Sequence, residues 1–358
     1  MATITETNPM GTDGFAFVEF AGPDPEALRD LFERMGFARI GRHRARDITL
    51  HAQGDIRFLV HGEKTGFAAD FARAHGPSAC GMGFRVADAE KAYVRAVSLG
   101  AEGDEADDRA LDRPVIRGIG GSRLYLVDGD TPDMAAWRDE YLLVDDWQAR
   151  MAAAGAGLKV IDHLTHNVRY GNMDKWYEFY RRLFNFREIR YFDIEGRYTG
   201  LVSRALASPC GRIMIPINES DDPKSQINEY IEEYNGEGIQ HIALLTGDIY
   251  ASVDRLREIG LEFQFTPDTY YEKVDARVPG HAESVAELQR RRILIDGSRE
   301  DGFLLQIFTK TVIGPIFFEI IQRKGNTGFG EGNFQALFES IEEDQIRRGY
   351  LKPEEVEA

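Results

Sequence analysis

The stretch DGFAFVEFAGPDPEALRDLFERMGFARIG, Asp13 to Gly41, has an echo in DHLTHNVRYGNMDKWYEFYRRLFNFREIR, Asp162 to Arg190. Each reads as a strand, a turn, an amphipathic helix, a Gly-Phe or Asn-Phe stop and a second strand. Laid together without gaps, Asp13 falls under Asp162, Gly14 under His163 and Phe37 under Phe186. A second echo follows: GMGFRVADAEKAYVRAVSLGAE from Gly81 parallels HIALLTGDIYASVDRLREIGLE from His241, with Asp88 under Asp248 and Gly100 under Gly260. Val253, Leu256 and Ile259 recur at helical spacing in between. Each half therefore holds two strand–helix–strands units, which predicts an α+β protein of two related domains. The join lies in the polar and Ala/Gly-rich stretch from about Asp128 to Gly157, giving an N-terminal domain over 1–150 and a C-terminal domain over 151–358.

Composition sets outer limits. The chain has 358 residues, 43% of them hydrophobic and 29% charged, enough to bury a core in each half. A net charge of −17 argues against nucleic acid or an anionic membrane surface as partner. The opening MATITETNPM lacks the basic region and apolar core of a secretory signal. The most apolar stretch, Val312 to Ile321, is too short to span a bilayer and contains a Glu. Cys80 and Cys210 lie far apart with no CxxC spacing, so they read as reduced, buried thiols, and the expected location is cytoplasmic.

Polar residues inside apolar strands carry the functional signal. Period-two alternation in IDHLTHNV puts Ile161, His163, Thr165 and Asn167 on one strand face, and in GIQHIALL it groups Ile239, His241, Ala243 and Leu245. In VIGPIFFEIIQR, Glu319 sits mid-strand among Ile and Phe. A buried carboxylate is neutralised, paired or metal-bound. Two imidazoles and one carboxylate from three strands are the ingredients of a facial triad, which leaves metal positions open for substrate and O2. Taken singly, each has a plainer reading: a strand His is usually a hydrogen-bonded core residue, and Glu319 could pair with Arg323 or a core Tyr. His166 rivals His163 but projects to the opposite face. The first half has Gly14 and Gly81 at the corresponding places, so one half is expected to do the chemistry and the other to be metal-free. These residues alone do not choose iron over zinc or manganese.

At this point the chain resembles the 4-hydroxyphenylpyruvate dioxygenase family, faintly in the first half and densely from Ile161 onward. The matching stretches are IDHLTHNV, Pro216 to Asn218, KSQI from Lys224, GIQHIAL, LLQIFTK from Leu304, FFEIIQR and GFGEGNF from Gly328. The resemblance implies the paired βαβββ modules of the vicinal oxygen chelate superfamily, each domain an open barrel, with one Fe(II) per chain in the C-terminal barrel. It implies His163, His241 and Glu319 as ligands. It implies Ser203, Asn218, Gln226, Gln240, Gln306, Phe308, Phe329 and Phe334 as the substrate pocket, with no catalytic residue beyond these. The implied reaction turns 4-hydroxyphenylpyruvate and O2 into homogentisate and CO2 in tyrosine and phenylalanine catabolism. The substrate's own 2-oxo acid would chelate the metal. A homo-oligomer, dimer or tetramer, is also implied.

Three rivals stand beside this reading. Hydroxymandelate synthase shares substrate, iron and fold but oxidises the benzylic carbon. An extradiol catechol dioxygenase also uses a His-His-Glu site, but should carry acid–base His or Tyr residues near the metal. A non-catalytic binding protein on the same scaffold would hold no metal. At the end of the chain, Gly325, Gly328, Gly330 and Gly332 precede Asn333, read as a helix N-cap. A helix to about Arg348 should follow, since Phe334, Leu337, Phe338 and Ile341 share a face. That helix is expected to act as a lid docking Phe329 and Phe334 over the substrate ring.

Overall fold

In the computed structural model, which describes residues 3–195, 199–330, 332, 333, 335, 342 and 345–352, both echoes fold as strand–helix units. The N-terminal strands are β1 (Phe15–Ala21), β2 (Ala38–His43), β3 (Ile48–Gln53), β4 (Ile56–His61), β5 (Ser78–Arg85), β6 (Val115–Arg117), β7 (Arg123–Val127) and β8 (Tyr141–Leu143). The C-terminal strands are β9 (Leu158–Asn167), β10 (Arg187–Glu195), β11 (Gly200–Ala207), β12 (Met214–Glu219), β13 (Gly238–Thr246), β14 (Leu294–Ser298), β15 (Gly302–Phe308) and β16 (Phe317–Lys324). They form two sheets, ordered β6-β7-β5-β1-β4-β3-β2-β8 and β10-β11-β12-β9-β13-β16-β15-β14. The second sheet is two βαβββ modules joined by the antiparallel pair β9 and β13. In each module the first strand runs parallel to the last. The first sheet departs from this plan. Its second module has only β5, β6 and β7, and the short β8 pads the far edge of β2 instead.

Local chemistry explains why the echoes fold alike. Asp88 and Asp248 are twin N-caps, accepting from Lys91 N and Ala251 N ahead of helices Ala89–Ser98 and Ile249–Glu258. Both helices end at a glycine with positive φ, +91° at Gly100 and +89° at Gly260. The following N–H reaches back to Ala96 O and Leu256 O respectively. Helix Trp147–Ala154 packs on β2 and β3, so the chain crosses from one sheet to the other within Gly155–Gly157.

The sheets share an apolar layer that includes the helix faces. Phe58 of β4 meets Phe318 of β16 at 5.9 Å between ring centroids, and Phe84 meets Phe184 at 5.3 Å. Burying rings of this size contributes roughly 1.5–3 kcal/mol each, which fixes β16, and with it Glu319, against the first domain. Among the described residues no helix is long and apolar enough to cross a membrane. Cys80 and Cys210 are both unbonded; Cys80 is buried as read, but Cys210 is half-exposed, near Ser208.

Candidate metal centre

His163 comes from β9, His241 from β13 and Glu319 from β16, which are adjacent strands. Their ligand atoms all lie within 4.8 Å of one another, and all three side chains are buried. His163 Nε2 is 3.1 Å from Glu319 Oε2, His241 Nε2 is 3.5 Å from it, and the two Nε2 atoms are 3.4 Å apart. Bonds of about 2.1 Å meeting at right angles place donors about 3 Å apart, so the set fits one transition-metal ion bound through a single face. His166 projects the other way, as expected, and bonds Tyr180 Oη at 2.8 Å.

Two β-bulges aim the histidines. Thr165 faces His241 while His166 faces Ile239, so Gln240 is the extra residue on β13. Likewise His163 faces Ala243 while Ile161 faces Leu244, so Asp162 is the extra residue on β9. Each bulged side chain accepts from Nδ1 of the histidine that follows it: Asp162 Oδ1 at 2.9 Å and Gln240 Oε1 at 3.0 Å. Nε2 is thereby turned to the metal position, the tautomer a metal requires. The bulges also correct the alternation reading. Ile161 and Ile239 lie with Leu164 and Ile242 in the apolar layer, not beside the histidines.

Charge is balanced without solvent. Arg323 does not pair with Glu319; it grips Asp162 through Nε and Nη2 at 2.8 and 2.7 Å. Burial opposes charge on His163, but the Glu319 and Asp162 carboxylates outweigh it and hold the imidazole up near about 9. Burial would likewise raise Glu319, yet His163 and His241 keep it down to about 2. His241 is lowered by burial. A cation entering here exchanges with the proton that His163 holds. His166, lowered by burial to about 3, stays neutral and takes no part.

The bulges also test the repeat. The first sheet has the same two: Cys80 is the extra residue on β5 and Ala16 on β1. Gly81 therefore stands at the place of His241, as read, but Phe17 and not Gly14 stands at the place of His163. The gapless comparison slipped by three because the join of strand to helix is two residues longer in the second half, 168–172 against 22–24, and the run from helix start to Phe186 is one residue longer than that to Phe37. Tyr125, opposite Gly83, takes the place of Glu319, opposite Ala243. Phe17 packs on Tyr125 at 5.0 Å and Trp137 at 5.5 Å, so aromatic rings occupy the interior of the first barrel.

Around the triad, Ser203, Gln306, Phe308 and Phe329 line one small cavity together with Thr165, Phe192 and Pro216. The space in it is about 20 Å³, roughly what one water molecule requires. Asn218 sits beside Ser203 across the β11–β12 register and bonds Asn167. Gln226 and Gln240 face a separate, solvent-open groove of about 300 Å³ on the other side of Phe317. Phe334 lies outside the described residues, as do Leu337, Phe338 and Ile341 of the expected helix. Asn333 is not a cap: it already lies in helical backbone, and its buried amide bonds Gln306 and Tyr270. Sequence reading placed Thr165 beside His163 but missed Asp162 and gave Arg323 the wrong partner. The signal for Asp162 was its place directly before a ligand histidine, matched by Gln240 before the other.

His166→Ala provides a contrast. Removing a buried hydrogen bond and a ring should cost about 1–3 kcal/mol of stability. Metal content should stay at the wild-type level, as measured by elemental analysis beside thermal denaturation.

Comparison with known proteins agrees with this geometry. The pattern described as hydroxyphenylpyruvate dioxygenase, N-terminal, matches residues 6–136. That of the glyoxalase/bleomycin resistance protein/dioxygenase superfamily matches residues 160–275. The chain is 57% identical to a 4-hydroxyphenylpyruvate dioxygenase of Pseudomonas aeruginosa, across 98% of this chain and 99% of the relative. It is 59% identical to a Vibrio vulnificus protein named Hemolysin VllY, across 97% and 99%. A 4-hydroxymandelate synthase mutant from Streptomyces coelicolor superposes with a TM-score of 0.80 at 26% identity, over 93% of this chain and 99% of that one. With more than half of its residues shared along nearly the whole of both chains, this protein belongs to the 4-hydroxyphenylpyruvate dioxygenase family.

Proposed function

We propose that the chain converts 4-hydroxyphenylpyruvate and O2 to homogentisate and CO2, using one iron(II) held by His163, His241 and Glu319. The observation that carries the reading is a buried two-nitrogen, one-carboxylate set at the wall of a cavity whose other lining residues, among those described, do not titrate. When bound, iron(II) supplies the redox chemistry and the positions at which a 2-oxo acid and O2 meet.

The chain's own residues do the rest. Asp162 and Gln240 keep both imidazoles presenting Nε2. Gln306 Nε2 donates to Glu319 Oε1 at 2.7 Å, which leaves Oε2 for the metal. Phe308, Phe329, Phe192 and Pro216 offer apolar faces to the aromatic ring. Ser203 Oγ and Asn218 Oδ1 are buried without a partner, side by side across the β11–β12 register. A phenol hydroxyl satisfies both, donating to Asn218 Oδ1 and accepting from Ser203 Oγ–H. Neither group is a base, so the phenol keeps its proton. An extradiol mechanism needs an acid or base beside the metal, and beyond the three ligands the described residues of the lining provide none. The cavity must widen to admit substrate, which assigns the Phe329 segment the role of a movable cover. The first barrel, filled by rings, acts as scaffold.

The test is product identification after anaerobic iron(II) loading and addition of substrate with ¹⁸O2. Homogentisate carrying label in both the ring hydroxyl and the carboxylate, with one CO2 released, is expected. 4-Hydroxymandelate would move the chain to the benzylic reaction of its structural neighbour, and neither iron binding nor turnover would leave a metal-free binding protein. Metal analysis should give about one iron per chain, as a single triad requires.

A further inference from the structure

We infer that Gly328, Phe329, Gly330, Gly332 and Asn333 and the metal-binding carboxylate form one thermodynamic unit, coupled through a directed chain of hydrogen bonds from Arg277 and Tyr270 by way of Asn333 and Gln306. The inference rests on the metal reading above, and it makes Tyr270 and Asn333 positioning residues that never touch the metal.

The direction of the chain follows from its two ends. Glu319, an anion, only accepts, so Gln306 must present its Nε2 to Oε1. The same Nε2 donates to Phe329 O at 3.1 Å. Gln306 Oε1 then faces away and accepts from Asn333 Nδ2 at 2.7 Å, leaving Asn333 Oδ1 as an acceptor. At the far end Arg277, a cation, only donates. Its Nη2 reaches Tyr270 Oη and Ile295 O, both at 2.6 Å, and Ile295 N also donates to Tyr270 Oη at 2.9 Å. Both lone pairs of the phenol are thus engaged. Its single hydrogen has two acceptors in reach, Ile295 O at 3.0 Å, already served by Arg277 Nη2, and the nearer Asn333 Oδ1 at 2.7 Å, to which it goes. Every amide orientation is fixed from cation to anion, and bonds aligned in this way polarise one another.

Gln306 and Asn333 are buried, so a broken link leaves a polar group without water. The segment is fitted closely to this chain. A Cβ at Gly330, where φ is +74°, would stand 2.2 Å from Gln306 Oε1. Gly332 N donates to Asp296 Oδ2 at 2.9 Å, and Asp296 pairs with Arg277 at 3.2 Å. A second thread reaches His163: Arg323 Nη1 donates to Gly328 O at 2.6 Å while its other nitrogens hold Asp162. Lifting the segment strips Gln306 of two of its three partners, so that nothing but Glu319 itself holds the amide against Oε1. A metal that prefers the held carboxylate must therefore favour the closed segment, and by reciprocity closure must tighten the metal.

Hydrogen exchange over residues 325–335 tests this on the full chain, metal-free and loaded with cobalt(II), for wild type and Tyr270→Phe. Cobalt affinity is measured in parallel by its visible absorption. Phe keeps the ring and removes only the donor. Cobalt should slow exchange in the wild type, and Tyr270→Phe should bind cobalt about tenfold more weakly, the lower end of the effect of an outer-shell loss, with the protection diminished. Should Tyr270→Phe fold poorly, Asn333→Asp, which cannot donate to Gln306, serves the same purpose with the same expectation. Exchange unaffected by cobalt, or wild-type cobalt affinity in the folded variant, overturns the coupling. A wild-type chain that binds no cobalt at all fails the metal reading itself, so the two failures are distinguishable.

Discussion

Replacing His163, His241 or Glu319 singly by alanine abolishes metal binding and turnover while the chain stays folded. The loss exceeds the ~10–100-fold that removal of an outer-shell partner costs, because two ligands in a buried site neither balance the charge nor define a face. Folding survives for a reason specific to this centre. In the metal-free chain His163 is charged only because Glu319 and Asp162 face it. With Glu319 gone, burial dominates and His163 sheds a proton rather than remaining an unpaired cation. With His163 gone, Glu319 keeps His241 and the amide of Gln306, and Asp162 keeps Arg323. Circular dichroism and elemental analysis on the three variants check this. An alanine variant that retains stoichiometric metal would remove that residue from the ligand set.

The ligands were legible because burial makes a polar residue conspicuous. Three buried titratable side chains in strands rich in Ile, Leu and Phe demand a common partner, and strand order brings them to one point. The pairing of Asp88 with Asp248 was legible too, though not that both are N-caps. What escaped was set by pairing. A bulge arises between two strands, so strict alternation misplaced Ile161 and Ile239 and hid Asp162 as the orienting carboxylate. Loop length hid the equivalence of Phe17 and His163. Asn333 had the composition of a cap, yet its amide is drawn inward by Tyr270 and Gln306, which lie far from it in sequence. Register, loop length and long-range polar pairing depend on the partner strand, and one strand's sequence does not contain them.

Arg323→Met should be the most destabilising charge removal in the second domain. It leaves the Asp162 carboxylate buried with only His163 to face, and breaking one side of a buried pair costs about 3–5 kcal/mol. At roughly 2–4 °C per kcal/mol the midpoint falls by roughly 6–20 °C. Asp162→Asn in the same chain removes the stranded charge. Its amide oxygen can still accept from His163 Nδ1, so the double variant should regain most of the lost stability. The two readouts then separate two roles for Asp162. An ordinary structural pair predicts that metal affinity recovers with stability. An orienting carboxylate predicts that it does not: the negative charge that makes His163 a stronger donor is still missing, and affinity stays about 10–100-fold low although the fold is restored. The placement of Asp162 on a bulge, where a strand would otherwise turn it away from the imidazole, favours the second outcome. Full recovery of affinity in the restored double variant would reduce Asp162 to a fold element.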